Sequence, residues 1–168
     1  MKKTYLVLAL LSSLNVVGAE VKTESPAPAS FLDGIYIEAL GVMRKPNITG
    51  KSEYGAGAEI GKAFNSKVAV GIQNIAYKTP DNWEGGAIDE TSGVAHWTLF
   101  SNKKTSLGGL GSVTHSWRED AWALGAGAEI KHYFTKNVSA GIGAQIRFWN
   151  SGTAKEDLLV SGSVGYKF

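Results

Sequence analysis

From residue 34 onward the chain is a succession of segments in which apolar and polar side chains alternate. In 122–134, Trp122, Leu124, Ala126, Ala128, Ile130 and Phe134 share one parity, and Gly125, Gly127, Glu129 and Lys131 take the other. In the next segment Val138, Ala140, Ile142, Ala144, Ile146 and Phe148 oppose Ser139, Gly141, Gly143, Gln145 and Arg147. The last segment sets Leu158, Val160, Val164, Tyr166 and Phe168 against Ser161, Ser163 and Lys167, so the final residue is itself expected to be structural. A period of two with one apolar face is the pattern of a strand. Read this way throughout, the chain predicts eight strands, near 34–44, 51–64, 67–78, 93–102, 106–117, 121–134, 137–150 and 156–168. In the first, Ile35, Ile37, Ala39, Gly41 and Met43 oppose Tyr36, Glu38 and Leu40. The fourth and fifth are the least regular, because Leu107, Leu110 and Val113 do not keep one parity. Asn74 interrupts the apolar face of the third and predicts a bulge before Ile75 and Tyr77.

An internal repeat orders these strands. Gly55-Ala56-Gly57-Ala58-Glu59-Ile60 recurs 70 residues later as Gly125-Ala126-Gly127-Ala128-Glu129-Ile130, and Phe64, Val68, Gly71 and Ile72 recur in step as Phe134, Val138, Gly141 and Ile142. Each copy reads as strand, tight turn and strand, a hairpin. Two copies half a chain apart suggest a meander of antiparallel hairpins rather than a solenoid. The loops fall at 45–50, 79–92, 118–120 and 151–155, alternating with tight turns. Aromatic residues gather at strand ends: Tyr77, Trp117, Trp122, Phe148 and Trp149 toward the loops, and Phe64, Tyr133, Phe134, Tyr166 and Phe168 toward the turns. Two such belts are what membrane interfaces select.

The N-terminus changes the picture. Lys2 and Lys3 precede an apolar run from Tyr5 to Leu11, and Val17-Gly18-Ala19 offers small residues before a cut at Glu20. These are the parts of a cleaved signal peptide, 1–19. Its apolar run is shorter than the roughly 20 residues of a spanning helix. No other apolar stretch reaches that length, so a mature chain that enters a membrane must do so as a closed barrel, where every backbone group is paired. Residues 20–33, with Pro-Ala-Pro-Ala-Ser, read as an extended N-terminal linker before a barrel domain at 34–168. The 21 glycines, costly in helices, suit the crowded interior and bends of such a barrel. Without Lys2 and Lys3, the 17 basic residues fall to 15, equal to the 15 acidic ones. That balance gives no electrostatic footprint for nucleic acid. The absence of cysteine removes disulfides and thiolate metal sites, and His96, His115 and His132 match no zinc spacing. No metal or other cofactor is therefore expected.

The leader, the Gly-Ala-Gly hairpins, the eight strands and the terminal Phe168 together resemble the small bacterial outer-membrane β-barrels of the opacity, outer-membrane protein A and outer-membrane protein X type. The resemblance covers nearly all of the mature chain, through motifs generic to the architecture. It implies an all-β, eight-stranded antiparallel up-and-down transmembrane barrel in the bacterial outer membrane. Its surroundings would be outer-membrane lipids, including lipopolysaccharide. Val164, Tyr166 and Phe168 would form the C-terminal signal for the barrel assembly machinery, and the protein would act as a monomer. Adhesion, envelope integrity or resistance to host factors are the roles the resemblance implies, through loops displayed outside.

Candidate chemistry lies in the polar parity. Glu38, Glu59, Glu129, Lys131, Gln145, Arg147 and Lys167 are expected in a lumen only wide enough for side chains, as a salt-bridge network that plugs it. The rival reading of the same residues is a narrow polar pore. The longest loop carries Asp81, Asn82, Trp83 and Glu84, with turn chemistry and an aromatic available to an external receptor. Its acidic residues fit no calcium-loop spacing. Small barrels can also be lipid-modifying enzymes. His115, Ser116 and Glu129 supply the residue types of a hydrolytic triad, but neighbours on a strand point to opposite faces. The lipid A deacylase barrels carry His-x-Ser-Asn late in the penultimate strand. Here the matching stretch is Arg147-Phe148-Trp149-Asn150, which keeps the Asn and lacks the catalytic pair. No catalytic residue is assigned. A soluble secreted β-barrel or sandwich is the remaining alternative.

Overall fold

The computed structural model describes residues 33–78, 88–152 and 154–168. The signal peptide, almost all of the linker and the loop residues Asp81, Asn82, Trp83 and Glu84 lie outside these. Eight strands follow in order: β1 (Ile35–Pro46), β2 (Glu53–Ala63), β3 (Val68–Lys78), β4 (Glu90–Ser101), β5 (Thr105–Ser116), β6 (Ala121–Tyr133), β7 (Val138–Trp149) and β8 (Glu156–Lys167). Each pairs antiparallel with its sequence neighbour, and β1 pairs with β8 from Tyr36 opposite Lys167 to Pro46 opposite Asp157, which closes the sheet into a barrel. Closure leaves no edge and pairs every strand on both sides.

The faces follow the alternation. Ile60, Ile72, Leu124, Ile130, Ile142 and Val164 are exposed on the outside, whereas Leu40, Val42, Ile75, Val94, Leu110 and Leu159 are buried within. An exposed apolar band around a polar-filled centre inverts the soluble arrangement and matches a lipid-facing barrel. At 11 to 13 residues, the strands have the length a tilted strand needs to cross a bilayer. Among the described residues no helix is long and apolar enough to do so.

The three turns at one end share a device. Asn65 Oδ1 accepts from the backbone N–H of Lys67 and Val68 at 2.7 and 2.8 Å, and Asn102 Oδ1 from Lys104 and Thr105, both at 2.8 Å. Thr135 Oγ1 accepts from Asn137 and Val138 at 3.1 and 3.0 Å. A short polar side chain thereby replaces a backbone acceptor and tightens each reversal. The opposite end carries the loops, where Asn47, Ile48, Asp120 and Gly152 adopt positive φ.

Several expectations need correction. The register of β3 runs unbroken through Asn74, so there is no bulge. Asn74 stays on the outer face, and its Oδ1 accepts from Thr91 Oγ1 of β4 at 2.8 Å. The irregularity lies instead between Thr98 and Phe100, where β4 slips against β5 and leaves both Leu99 and Phe100 exposed. Leu107 and Val113 do share a face, the outer one, while Leu110 points inward. The parity of β5 is therefore intact. Tyr77 and Trp149 do not join the belts: both are buried in the lumen, while Trp117, Trp122, Phe148 and Tyr54 form the loop-end belt. Phe64, Phe100, Phe134, Tyr166 and Phe168 form the other, whereas Tyr133 takes the lumen parity, its hydroxyl 3.3 Å from the buried Ser106 Oγ. β4 also starts three residues earlier than expected, at Glu90, with Glu90 and Ser92 buried in the lumen.

Candidate functional site: the charged lumen

Two clusters of charge fill the barrel, one at each end, separated by a waist that includes Leu40, Val94, Leu110 and Leu159. The loop-end cluster centres on Arg147, which is 0% exposed, as is its partner Asp157. Arg147 donates from Nε to Asp157 Oδ1 and from Nη2 to Asp157 Oδ2, both at 2.8 Å, and from Nη1 to Glu90 Oε2 at 2.6 Å. Arg44 donates from Nε to Asp157 Oδ2 at 2.7 Å and lies 3.6 Å from Glu90. Trp149 Nε1 donates to Asp157 at 2.8 Å and the Tyr77 hydroxyl to Glu90 at 3.0 Å. Two guanidinium groups thus face two carboxylates, each with several hydrogen bonds, which is the condition under which buried charge is tolerated. Glu53 extends the cluster to the rim, bonding Arg44 and Arg118 at 3.4 Å each.

The turn-end cluster is built by the internal repeat. β2 and β6 lie four strands apart in a ring of eight, so Glu59 and Glu129 face each other across the lumen. His96 of β4 spans the gap, with Nε2 2.9 Å from Glu59 and Nδ1 3.0 Å from Glu129. Ionised carboxylates only accept, so both contacts are hydrogen bonds to them when the ring is the imidazolium form and donates from each nitrogen. Tyr36 donates to Glu59, Gln73 Nε2 to Glu59 at 3.3 Å, and Lys131 to Glu38. Lys131 also lies 3.7 Å from Glu129.

Of the residues expected inside, Glu38, Glu59, Glu129 and Lys131 meet in this cluster and Arg147 in the other. Gln145 sits between them, its Oε1 accepting from Ser112 Oγ at 2.8 Å. Lys167 keeps the lumen parity but is exposed at the strand end. Sequence reasoning missed Tyr36, Arg44, Glu90, His96 and Asp157 as partners. His96 was legible: it shares parity with Val94 and opposes Ala95 and Trp97. Val164, Tyr166 and Phe168 all point outward, with the last two rings 5.0 Å apart edge to face. Ser116 is buried and its Oγ accepts from Glu119 N at 3.3 Å, whereas His115 packs outside between Trp117 and Trp122. The pair does not converge on a common substrate position. Among the described residues no three His, Asp or Glu side chains are arranged as a metal centre.

The inward glycines are room for these side chains. A Cβ on Gly125 would stand 2.6 Å from Gln145 Oε1 and 3.0 Å from Arg147 Cγ, whereas one on outward Gly41 meets nothing within 4 Å. Gly125→Val is expected to cost about 1–3 kcal/mol, the usual penalty of overpacking, and Gly41→Val far less. Urea unfolding of the two variants in lipid vesicles reads the difference.

An eight-stranded closed antiparallel barrel with an apolar exterior and a charged, filled lumen is the fold of the small outer-membrane β-barrels. The crystal structure of Neisserial surface protein A superposes with a TM-score of 0.58 at 16% identity, covering 81% of this chain and 98% of that one. The N-terminal β-barrel domain of Pseudomonas aeruginosa OprF gives 0.56 at 16% identity, over 81% and 98%. The de novo designed TMB2.3 gives 0.50 at 11% identity, over 81% and 97%. At these identities the likeness is one of fold. No protein-family model and no curated relative matches the sequence.

Proposed function

We propose that the protein is a monomeric integral barrel of the bacterial outer membrane that displays its loops, chiefly 79–89, and catalyses no reaction. The observation that carries this reading is the pairing of a lipid-facing apolar band with a lumen shut by buried ion pairs. Arg147, Asp157, Arg44 and Glu90 are buried against one another in the section below the loops, which supports occlusion over conduction. A barrel closed in this way offers the cell a rigid stave set and the segments that join it. Asp81, Asn82, Trp83 and Glu84 would meet an external receptor, and lipopolysaccharide would surround the apolar band. Val164, Tyr166 and Phe168, facing outward on the closing strand, would engage the assembly machinery.

The chain has no cysteine, so Trp83→Cys introduces a unique thiol. A membrane-impermeant maleimide is expected to label it on intact cells, and the detergent-extracted protein to migrate faster on a gel before boiling than after. Labelling only in permeabilised cells, or recovery of the protein in the soluble fraction, would overturn the reading. So would discrete conductance steps in a planar bilayer.

A further inference from the structure

Between the waist and the turn-end cluster lies a cavity of about 30 Å³, bordered by Glu38, Glu59, Gln73, His96 and Glu129. That is room for a single water-sized occupant. Two independent features of its wall point to a positive one. The first is charge. Three carboxylates, Glu38, Glu59 and Glu129, face two cationic groups, Lys131 and the doubly hydrogen-bonded His96, so the enclosure is one positive charge short. The loop-end cluster offers no compensation, since its two guanidinium groups are matched by Glu90 and Asp157. The second is Gln73. It is 7% exposed and donates to Glu59, yet its buried Oε1 meets no donor among the described residues. A buried carbonyl without a partner costs free energy comparable to a lost hydrogen bond. A hard cation satisfies such an oxygen and the unmatched carboxylate together, which is the chemistry of oxygen-ligand sites. A divalent ion would overshoot this deficit of one charge.

We propose that this cavity binds one small monovalent cation of the sodium class, held by Gln73 Oε1 and the surrounding carboxylates. The ion completes the lumen's charge balance. It therefore links barrel stability to sodium, since a ligand bound only by the folded state raises its stability in proportion to the logarithm of concentration above Kd.

The test uses the full chain refolded in zwitterionic detergent micelles and heated in sodium chloride or N-methylglucamine chloride at equal ionic strength. The unfolding midpoint is expected to rise with sodium and saturate, and to stay flat with N-methylglucamine, which is too large for the cavity. Gln73→Leu removes the carbonyl and Glu129→Gln removes the surplus charge, so each is expected to abolish the sodium response. Sodium-23 linewidths give a readout independent of stability: folded wild-type protein should broaden the signal beyond empty micelles, and folded Gln73→Leu should not. Coincident melting curves in the two salts without extra broadening would assign the cavity to water alone and overturn the proposal. A sodium response undiminished in Gln73→Leu would overturn it equally.

Discussion

Arg147→Met is expected to remove about 3–5 kcal/mol from the unfolding free energy of the vesicle-inserted barrel, the range found when one partner of a buried ion pair is deleted. Arg147 supplies three of the short hydrogen bonds that hold Asp157 and Glu90, and all three groups are closed to solvent. Without it Arg44 is the cation left to share between two carboxylates, with Trp149 and Tyr77 as neutral donors. Met fills similar space, so the loss reports charge rather than a cavity. Arg147→Lys should fall between, because one ammonium cannot reproduce a guanidinium fork that reaches two acids. The double variant Arg147→Met with Asp157→Leu leaves Arg44 facing Glu90, and should recover much of the loss. Urea titrations followed by tryptophan fluorescence rank the four proteins. A single variant within 0.5 kcal/mol of wild type would mean that water screens the cluster and that the loop end is open.

The second large effect is on the other face. Ile142 is 69% exposed and sits at mid-height on β7, opposite Ile130 of β6 and Gly162 of β8. In a bilayer, Ile142→Arg is expected to cost about 2–4 kcal/mol, as for cationic side chains near the midplane of an outer-membrane barrel. Ile142→Leu should cost little. In water the same Arg would be indifferent, since it replaces an exposed apolar group with a solvated one. The measurement therefore separates a lipid-facing surface from a wet one. A cost below about 0.5 kcal/mol in vesicles would show that this face meets water.

Much of the fold was written in the sequence because side-chain parity is a local property. Ile142, Ile130 and Val164 declare an outer face and Glu129 and Arg147 an inner one without reference to any other strand. The strand ends were also legible, since Asn65, Asn102 and Thr135 are side chains that close turns. The errors came where a global cue displaced the local one. An aromatic near a strand end suggests a belt for Tyr77 and Trp149, although Tyr77 shares parity with Gln73 and Trp149 with Arg147. Asn74 looked like a break because its partner Thr91 belongs to another strand. Partnerships inside the lumen were the least legible. That Arg44 meets Asp157, 113 residues away, depends on how far the sheet is sheared before it closes, and the alternation within a strand carries no record of that.

The bridge through His96 has a bearing on how the molecule forms. Its three members stand on β2, β4 and β6, and each half of the duplicated hairpin contributes one acid. A sheet of β1–β4 can pair Glu59 with His96, but the second ring nitrogen finds Glu129 only when β6 is in place, so four staves leave the bridge half made. Such a partial structure gains little from persisting in lipid. The duplication thereby makes barrel formation more nearly all-or-none, penalising any intermediate that stops before the ring is complete.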